Sequence, residues 1–289
     1  MSYLLLSICA SSVLFVVFKL FAKFKINTIQ AIIFNYLVAA VCGYIAHNKP
    51  ITIPQITQFS WFYYSLGLGL IFIAVFYAMA ITTQRNGMSV VAVASKMSVV
   101  IPILFGVFVY NETIGRIKVL GILIALFSIY LVTVNPNKIK SSSLLFPILV
   151  FIGSGLIDTS LKFLQTNFVK PQDVSIFSAT LFVTAGFTGI LIIIFQALQK
   201  KFTFEFKNLI GGIVLGVCNY FSIYFLVQAI SYKGMESSTL FTVNNVGVLL
   251  VTTILGVLLF KEKLTQQNKL GILLAAVGIV LVSVSGNFN

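Results

Sequence analysis

Ten long apolar runs, separated by short gaps rich in charge, Pro or Asn, set the pattern of this chain. In the first half they are Tyr3 to Phe21, Thr28 to Ala46, Trp61 to Thr82, Met88 to Val109 and Ile117 to Val134. In the second they are Leu144 to Leu164, Val174 to Ala197, Leu209 to Ile230, Ser237 to Phe260 and Lys269 to Val284. Lipid offers the backbone no hydrogen-bonding partner, so an apolar run of about 20 residues reads as a helix that crosses the membrane. The expected fold is therefore an all-α membrane protein with ten transmembrane helices. The first run follows Met1 and Ser2 directly, without a basic leader or small-x-small cleavage site, and reads as a span rather than a removable signal.

Composition narrows the picture. Of 289 residues 59% are hydrophobic and only 9% charged, with a mean hydropathy of +1.06; no water-soluble fold hides so much apolar surface. The net charge of +13 comes from Lys and Arg that fall mainly in the gaps, where they anchor helix ends at the membrane surface. The aromatic residues lie inside the apolar runs rather than among basic ones, so nucleic acid is not an expected partner. Cys9, Cys42 and Cys218 sit within apolar runs, with His47 as the single histidine and no metal-ligand spacing. They read as inert thiols packed between helices, and neither metal nor cofactor is expected.

The stretch Asn135-Pro136-Asn137-Lys138-Ile139-Lys140-Ser141-Ser142-Ser143 is the clearest linker and divides the chain into halves 1–137 and 138–289. The halves resemble each other. Gly106, Glu112, Gly121 and Ala125 recur 150 positions later as Gly256, Glu262, Gly271 and Ala275. Gly69, Tyr77, Gly87 and Met88 recur as Gly216, Tyr224, Gly234 and Met235, which places a short insertion in the ninth helix. Lys19 and Lys162 correspond when the first and sixth helices are superposed. Because five is odd, the second copy has to thread the membrane in the opposite direction, giving two inverted five-helix repeats. Gly121 with Ala125, Gly271 with Ala275 and Gly212 with Gly216 form small-x-x-x-small pairs that let helix backbones approach closely.

Each copy closes with an apolar helix, a Gly-Val-x-x-x-x-Glu stretch and a Gly-containing last helix. The stretches are Ile103-Leu104-Phe105-Gly106-Val107-Phe108-Val109-Tyr110-Asn111-Glu112 and Ile254-Leu255-Gly256-Val257-Leu258-Leu259-Phe260-Lys261-Glu262. This arrangement resembles the EamA-like branch of the drug/metabolite transporter superfamily. The resemblance implies a multi-pass transporter of the cell (inner) membrane that carries a small organic metabolite. Where that family usually has Gly before the Glu, this chain has Asn111 and Lys261.

Ionisable and amide groups inside spans are costly, so each is a candidate site residue. Lys96 lies within the fourth run on a stripe with Ser89, Ala92, Val99, Ile103 and Gly106, placed to attract a carboxylate or phosphate; Pro102 follows and is expected to kink the helix. Asp158 and Lys162 are spaced i,i+4, as an ion pair or a proton-coupling site. Lys19 has no acid on its own helix and is expected to snorkel to the interface. Ser238, Thr242, Asn245, Thr252 and Gly256 fall on one side of the ninth helix with Asn244 adjacent, as a cavity lining. Tyr220, Tyr224 and Gln228 form a row on the eighth helix beside Asn219, and Tyr77 matches Tyr224 across the repeat. Asn35 is a further candidate, while Trp61, Tyr63 and Tyr64 read as an interfacial belt.

Only Asp158 among the acids lies well inside a span, which disfavours export of lipophilic cations and suits an anionic, zwitterionic or neutral solute. The expected function is secondary transport, as exporter or exchanger, by alternating access. The alternatives are a membrane-embedded enzyme, for which no span supplies paired acids or a nucleophile with its base, and a non-transporting receptor. No Walker-type phosphate loop is present to drive transport with ATP.

Loop charge and resemblance disagree over orientation. Lys23, Lys25, Arg85, Lys261 and Lys263 lie on the more basic side, opposite the termini, so the positive-inside rule places both termini outside. The resemblance implies termini inside. A C-terminal fusion to a reporter active only in the cytoplasm decides the matter: signal supports the resemblance, silence the charge argument.

Overall fold

The computed structural model describes residues 2–47, 53–110, 115–133, 144–169, 173–199, 203–230 and 237–284, and the regular structure among them is helical. The helices are α1 (Ser2–Lys23), α2 (Thr28–His47), a one-turn α3 (Ile53–Thr57), α4 (Phe62–Arg85), α5 (Met88–Met97), α6 (Val100–Tyr110) and α7 (Arg116–Thr133). They continue as α8 (Leu145–Asn167), α9 (Val174–Leu198), α10 (Phe206–Ile230), α11 (Ser237–Phe260) and α12 (Gln266–Val284). Every expected span thus contains helix. Six helices, α1, α2, α4, α9, α10 and α11, are long and apolar enough to cross a bilayer, and shorter apolar helical stretches occupy Met88–Pro102, Val119–Val132, Leu145–Leu161 and Gln266–Val282. Their exposed faces carry Leu5, Leu70, Phe187, Leu191 and Leu273, side chains that suit lipid and not water. The chain is a multi-pass membrane protein.

The fourth run is not one helix. It breaks at Ser98 and Val99, between α5 and α6. Pro102 has no N–H to give to the Ser98 carbonyl four residues back, and its ring crowds that position. The Ser98 carbonyl instead accepts from the Ile101 N–H at 2.9 Å, one residue tighter than an α-helical bond. The Ser98 hydroxyl folds back on the Ser95 carbonyl at 2.6 Å.

The chain forms two compact units, and each draws on both halves of the sequence. The first comprises Met1–Lys19, Ala78–Leu156 and Phe221–Asn289; the second comprises Leu20–Tyr77 and Ile157–Tyr220. In the first unit α7 packs on α12, and α5 on α11. In the second α2 packs on α9. Each of these pairs joins helices that hold the same place in the two copies.

The α7–α12 contact is reciprocal. A Cβ on Gly121 would lie 2.9 Å from Val282 Cγ2, and one on Gly271 would lie 2.6 Å from Val132 Cγ2. Val132 and Val282 keep the same 150-residue spacing as the two glycines. Such exchange of equivalent partners is what a two-fold relation produces. The helices run antiparallel, since the start of α7 meets the end of α12 and Gly278 meets Ala125 midway. Ala125, Ala275, Met97, Leu249 and Ile279 fill the surrounding core. In lipid no hydrophobic force brings helices together, so close backbone approach through these small residues supplies the attraction.

The second unit repeats the device. Gly43 meets Ala179, Gly186 meets Leu37 and Gly189 meets Ile33, again antiparallel. Gly212 and Gly216 admit α2 against α10 at Phe34 and at Val38, as their spacing predicts. Trp61 corrects the belt assignment: it is fully buried, stacked on Phe59 and edge-on to Phe177, while Tyr63 and Tyr64 stay exposed. Cys9 is likewise exposed rather than packed.

The packing carries a stability prediction. Gly121→Ala drives a methyl into the Val282 side chain and backbone and is expected to cost about 1–3 kcal/mol. A Cβ at Gly67 meets nothing within 4 Å, so Gly67→Ala is expected to be neutral or to stabilise by up to about 1 kcal/mol. Thermal unfolding of the two variants in detergent checks this, and equal midpoints would contradict it.

Candidate functional site

The strongest polar cluster of the first unit stands where several helices end. After Phe260 the chain turns through Lys261, whose φ of 53° is left-handed, and the Glu262 N–H returns to the Gly256 carbonyl at 3.1 Å. The turn carries the Glu262 carboxylate to the start of α5, where it accepts the Met88 N–H at 2.9 Å on Oε1 and 3.1 Å on Oε2. Gly87, at φ 109°, offers no side chain to cap α5, so Glu262 caps it from the turn after α11. Carbon at Gly87 or Gly256 would come within 3.0 and 2.8 Å of the carboxylate. Both glycines make room for it.

Lys19 completes the cluster. Its Nζ lies 3.0 Å from Glu262 Oε1 and donates to the Thr83 carbonyl at 3.1 Å. That carbonyl belongs to the last turn of α4, where a cation satisfies an orphan acceptor and the helix dipole. The two side chains are 22% and 12% exposed. One ion pair thereby binds together the ends of α1, α4, α5 and α11. Lys19 therefore does not snorkel alone; its partner stands 243 residues away in sequence, too far for spacing to show. The signal was present as the recurrence of Glu112 at Glu262 and of Gly87-Met88 further on.

Beside the pair, Asn268 closes two more ends. Its Oδ1 accepts from the Thr265 N–H at 3.2 Å while its own N–H donates to Thr265 Oγ1 at 3.1 Å, a reciprocal cap on α12. Its Nδ2 donates to the Val132 carbonyl at the end of α7, at 3.1 Å.

Two of the candidate site amides, Asn244 and Asn219, make hydrogen bonds between helices. Asn244 is buried and accepts from Ser7 Oγ at 3.1 Å, and Ser7 lies 3.0 Å from the Ser222 carbonyl. Asn219 is buried and donates to Asn35 Oδ1 at 3.2 Å, joining α10 to α2. Asn245 and Tyr77 are half-buried. Tyr224 is 37% exposed and packs edge-on to Phe221 and Phe225. Thr252 is fully buried. The side chains of Gln228, Lys162, Ser238 and Thr242 lie outside the described residues. Asp158 is exposed on α8.

Lys96 stands at the close of a half-helix. It is half-buried in the last turn of α5, two residues before the break at Ser98. A cation there faces the carbonyl end of a half-helix, an arrangement the dipole favours.

Two stretches of the chain, residues 1–134 and 141–284, match the family model of the EamA-like transporter family. A protein of Haemophilus influenzae described as uncharacterised is 29% identical over 283 residues, covering 94% of each chain. A crystal structure of another protein superposes with a TM-score of 0.56 at 13% identity, covering 98% of this chain and 97% of that one. That likeness concerns the fold.

The cap at Glu262 yields two opposite expectations. Lys261→Gly removes the left-handed penalty of a Cβ and is expected to stabilise by about 1 kcal/mol. Glu262→Ala leaves the Met88 N–H and Lys19 without their acceptor and is expected to destabilise by about 1–3 kcal/mol. Thermal unfolding in detergent checks both, and a double-mutant cycle with Lys19→Met isolates the pair.

Proposed function

This chain belongs to the EamA-like transporter family, and from that premise we propose that it is a secondary transporter of a small organic metabolite in the cytoplasmic (inner) membrane. In this reading ten spans form two inverted five-helix repeats, residues 1–137 and 138–289, that alternate access to a central site. The observation that carries it is the reciprocal antiparallel packing of α7 and α12 about Gly121 and Gly271. Two copies opposed in this way have two equivalent arrangements of one architecture, which is what alternating access needs.

The break between α5 and α6 supports a site near Lys96. Discontinuous helices in transporters place polar half-helix ends at membrane depth, where they bind solute or ion. Lys96 attracts a carboxylate or phosphate, and Asn245 and Tyr224 supply further polar contact. The solute is anionic, zwitterionic or neutral, carried by export or exchange. Asp158, with Lys162 one turn on, is the group proposed to take up the coupling proton.

The test is flux in proteoliposomes, with solutes chosen by comparing the metabolites of cells that contain or lack the protein. Lys96→Ala is expected to lower flux of an anionic solute about tenfold or more, with Lys96→Arg retaining part of it. Asp158→Asn is expected to remove the response to a proton gradient while leaving solute binding. Undiminished flux in Lys96→Ala would sink the site assignment.

A further inference from the structure

The Lys19–Glu262 pair forms one wall of a pocket of about 180 Å³ that the proposed transport site does not use. Lys19, Arg85, Lys263, Ser89 and Glu262 line it. Three cations face a single carboxylate, and that carboxylate is already occupied by Lys19 and the Met88 N–H. Arg85 is exposed and rests over the Phe146 ring at 5.3 Å, which leaves the donors at the edge of its guanidinium directed elsewhere. Lys263 is exposed too. Lys19 has three N–H donors, two of them placed on Glu262 and Thr83.

Ser89 supplies the independent pointer. It is 2% exposed, lines the pocket, and its hydroxyl has no hydrogen-bond partner among the described residues. A buried hydroxyl left unpaired is costly, so the site suits a ligand that accepts its proton. Such a ligand has to be an acceptor, and the three cations require it to be negative. The volume is several times one water's share of about 30 Å³, room for a phosphate group with part of its substituent. The pocket stands where α1, α4 and α11 end and α5 and α12 begin, and helix ends are where a multi-pass protein meets lipid headgroups.

We propose that this pocket binds a phosphate monoester or diester, through Arg85, Lys263, Lys19 and the Ser89 hydroxyl. The group arrives on an anionic phospholipid or as a free phosphate compound, and both present the same chemistry to these residues. The proposal does not depend on the transport reading, because its test measures binding and stability alone.

The full chain in uncharged detergent is titrated with phosphatidylglycerol, phosphatidylcholine or inorganic phosphate while thermal unfolding is followed. A saturable rise of the midpoint with phosphatidylglycerol, absent with phosphatidylcholine, is expected for the lipid source; a rise with inorganic phosphate is expected for the free one. In R85Q/K263Q half-saturation is expected to move up about thirtyfold, and in S89A by a smaller factor. K23Q/K25Q, an equal charge change outside the pocket lining, is expected to leave the response intact. Equal responses to the two lipids without one to phosphate, an undiminished response in R85Q/K263Q, or an equal loss in K23Q/K25Q would overturn the proposal.

Discussion

Hydrocarbon cannot satisfy a helix end, and much of the polar chemistry of this protein answers that constraint. The first N–H groups and last carbonyls of every helix need partners, and in a membrane protein those partners come from other helices or from the surface. Glu262 serves the start of α5, Lys19 the end of α4 and Asn268 the end of α7 together with the start of α12. In the second unit Asn27 and Asn208 serve α2: Asn27 Oδ1 accepts the Gln30 N–H at 3.2 Å, and Asn208 Oδ1 accepts the Asn27 N–H at 2.8 Å. Even the broken fourth span follows the rule, since the carbonyl that Pro102 abandons is taken up by Ile101.

The same constraint decides how the apolar surfaces meet. A helix that is apolar on its lipid side gains little by exchanging lipid for a neighbour, so attraction has to come from contact distance. Gly121, Ala125, Gly271 and Ala275 make that distance short, and they do so reciprocally because the two copies carry the same residues at these positions; Gly278, opposite Ala125, adds to it. A mutation that thickens one copy of the seam meets the side chain contributed by the other.

Several of the described charges then fall at helix ends. The Lys19–Glu262 pair costs little at the helix ends because each partner also satisfies backbone. Lys96 stands apart from it, at the close of a half-helix inside a span. Gly87 and Lys261 are the two positive-φ residues of the cluster, at φ 109° and 53°. Glycine takes such a conformation freely, whereas lysine does so at some cost, offset by its place at the negative end of α11.

By itself the sequence determined the number and place of the apolar runs and the internal repeat, because hydropathy and residue identity are local properties that need no partner; the expected linker at 135–143 lies outside the described residues. All ten runs contain helix, and the paired glycines lie at helix contacts as their spacing implied. Tertiary structure alone decided which polar residues are spent on packing. Asn244 and Asn219 are candidate site amides by sequence, and the fold adds that Ser7 donates to the first and Asn35 accepts from the second, while Trp61, by sequence an interfacial anchor, is enclosed by Phe59 and Phe177. Glu262 lies outside the spans by sequence and in the turn after α11 in the fold, where it ties helix ends together. A side chain's partner comes from another helix at a separation no local pattern encodes, so spacing reveals that a residue is costly in lipid without revealing what satisfies it.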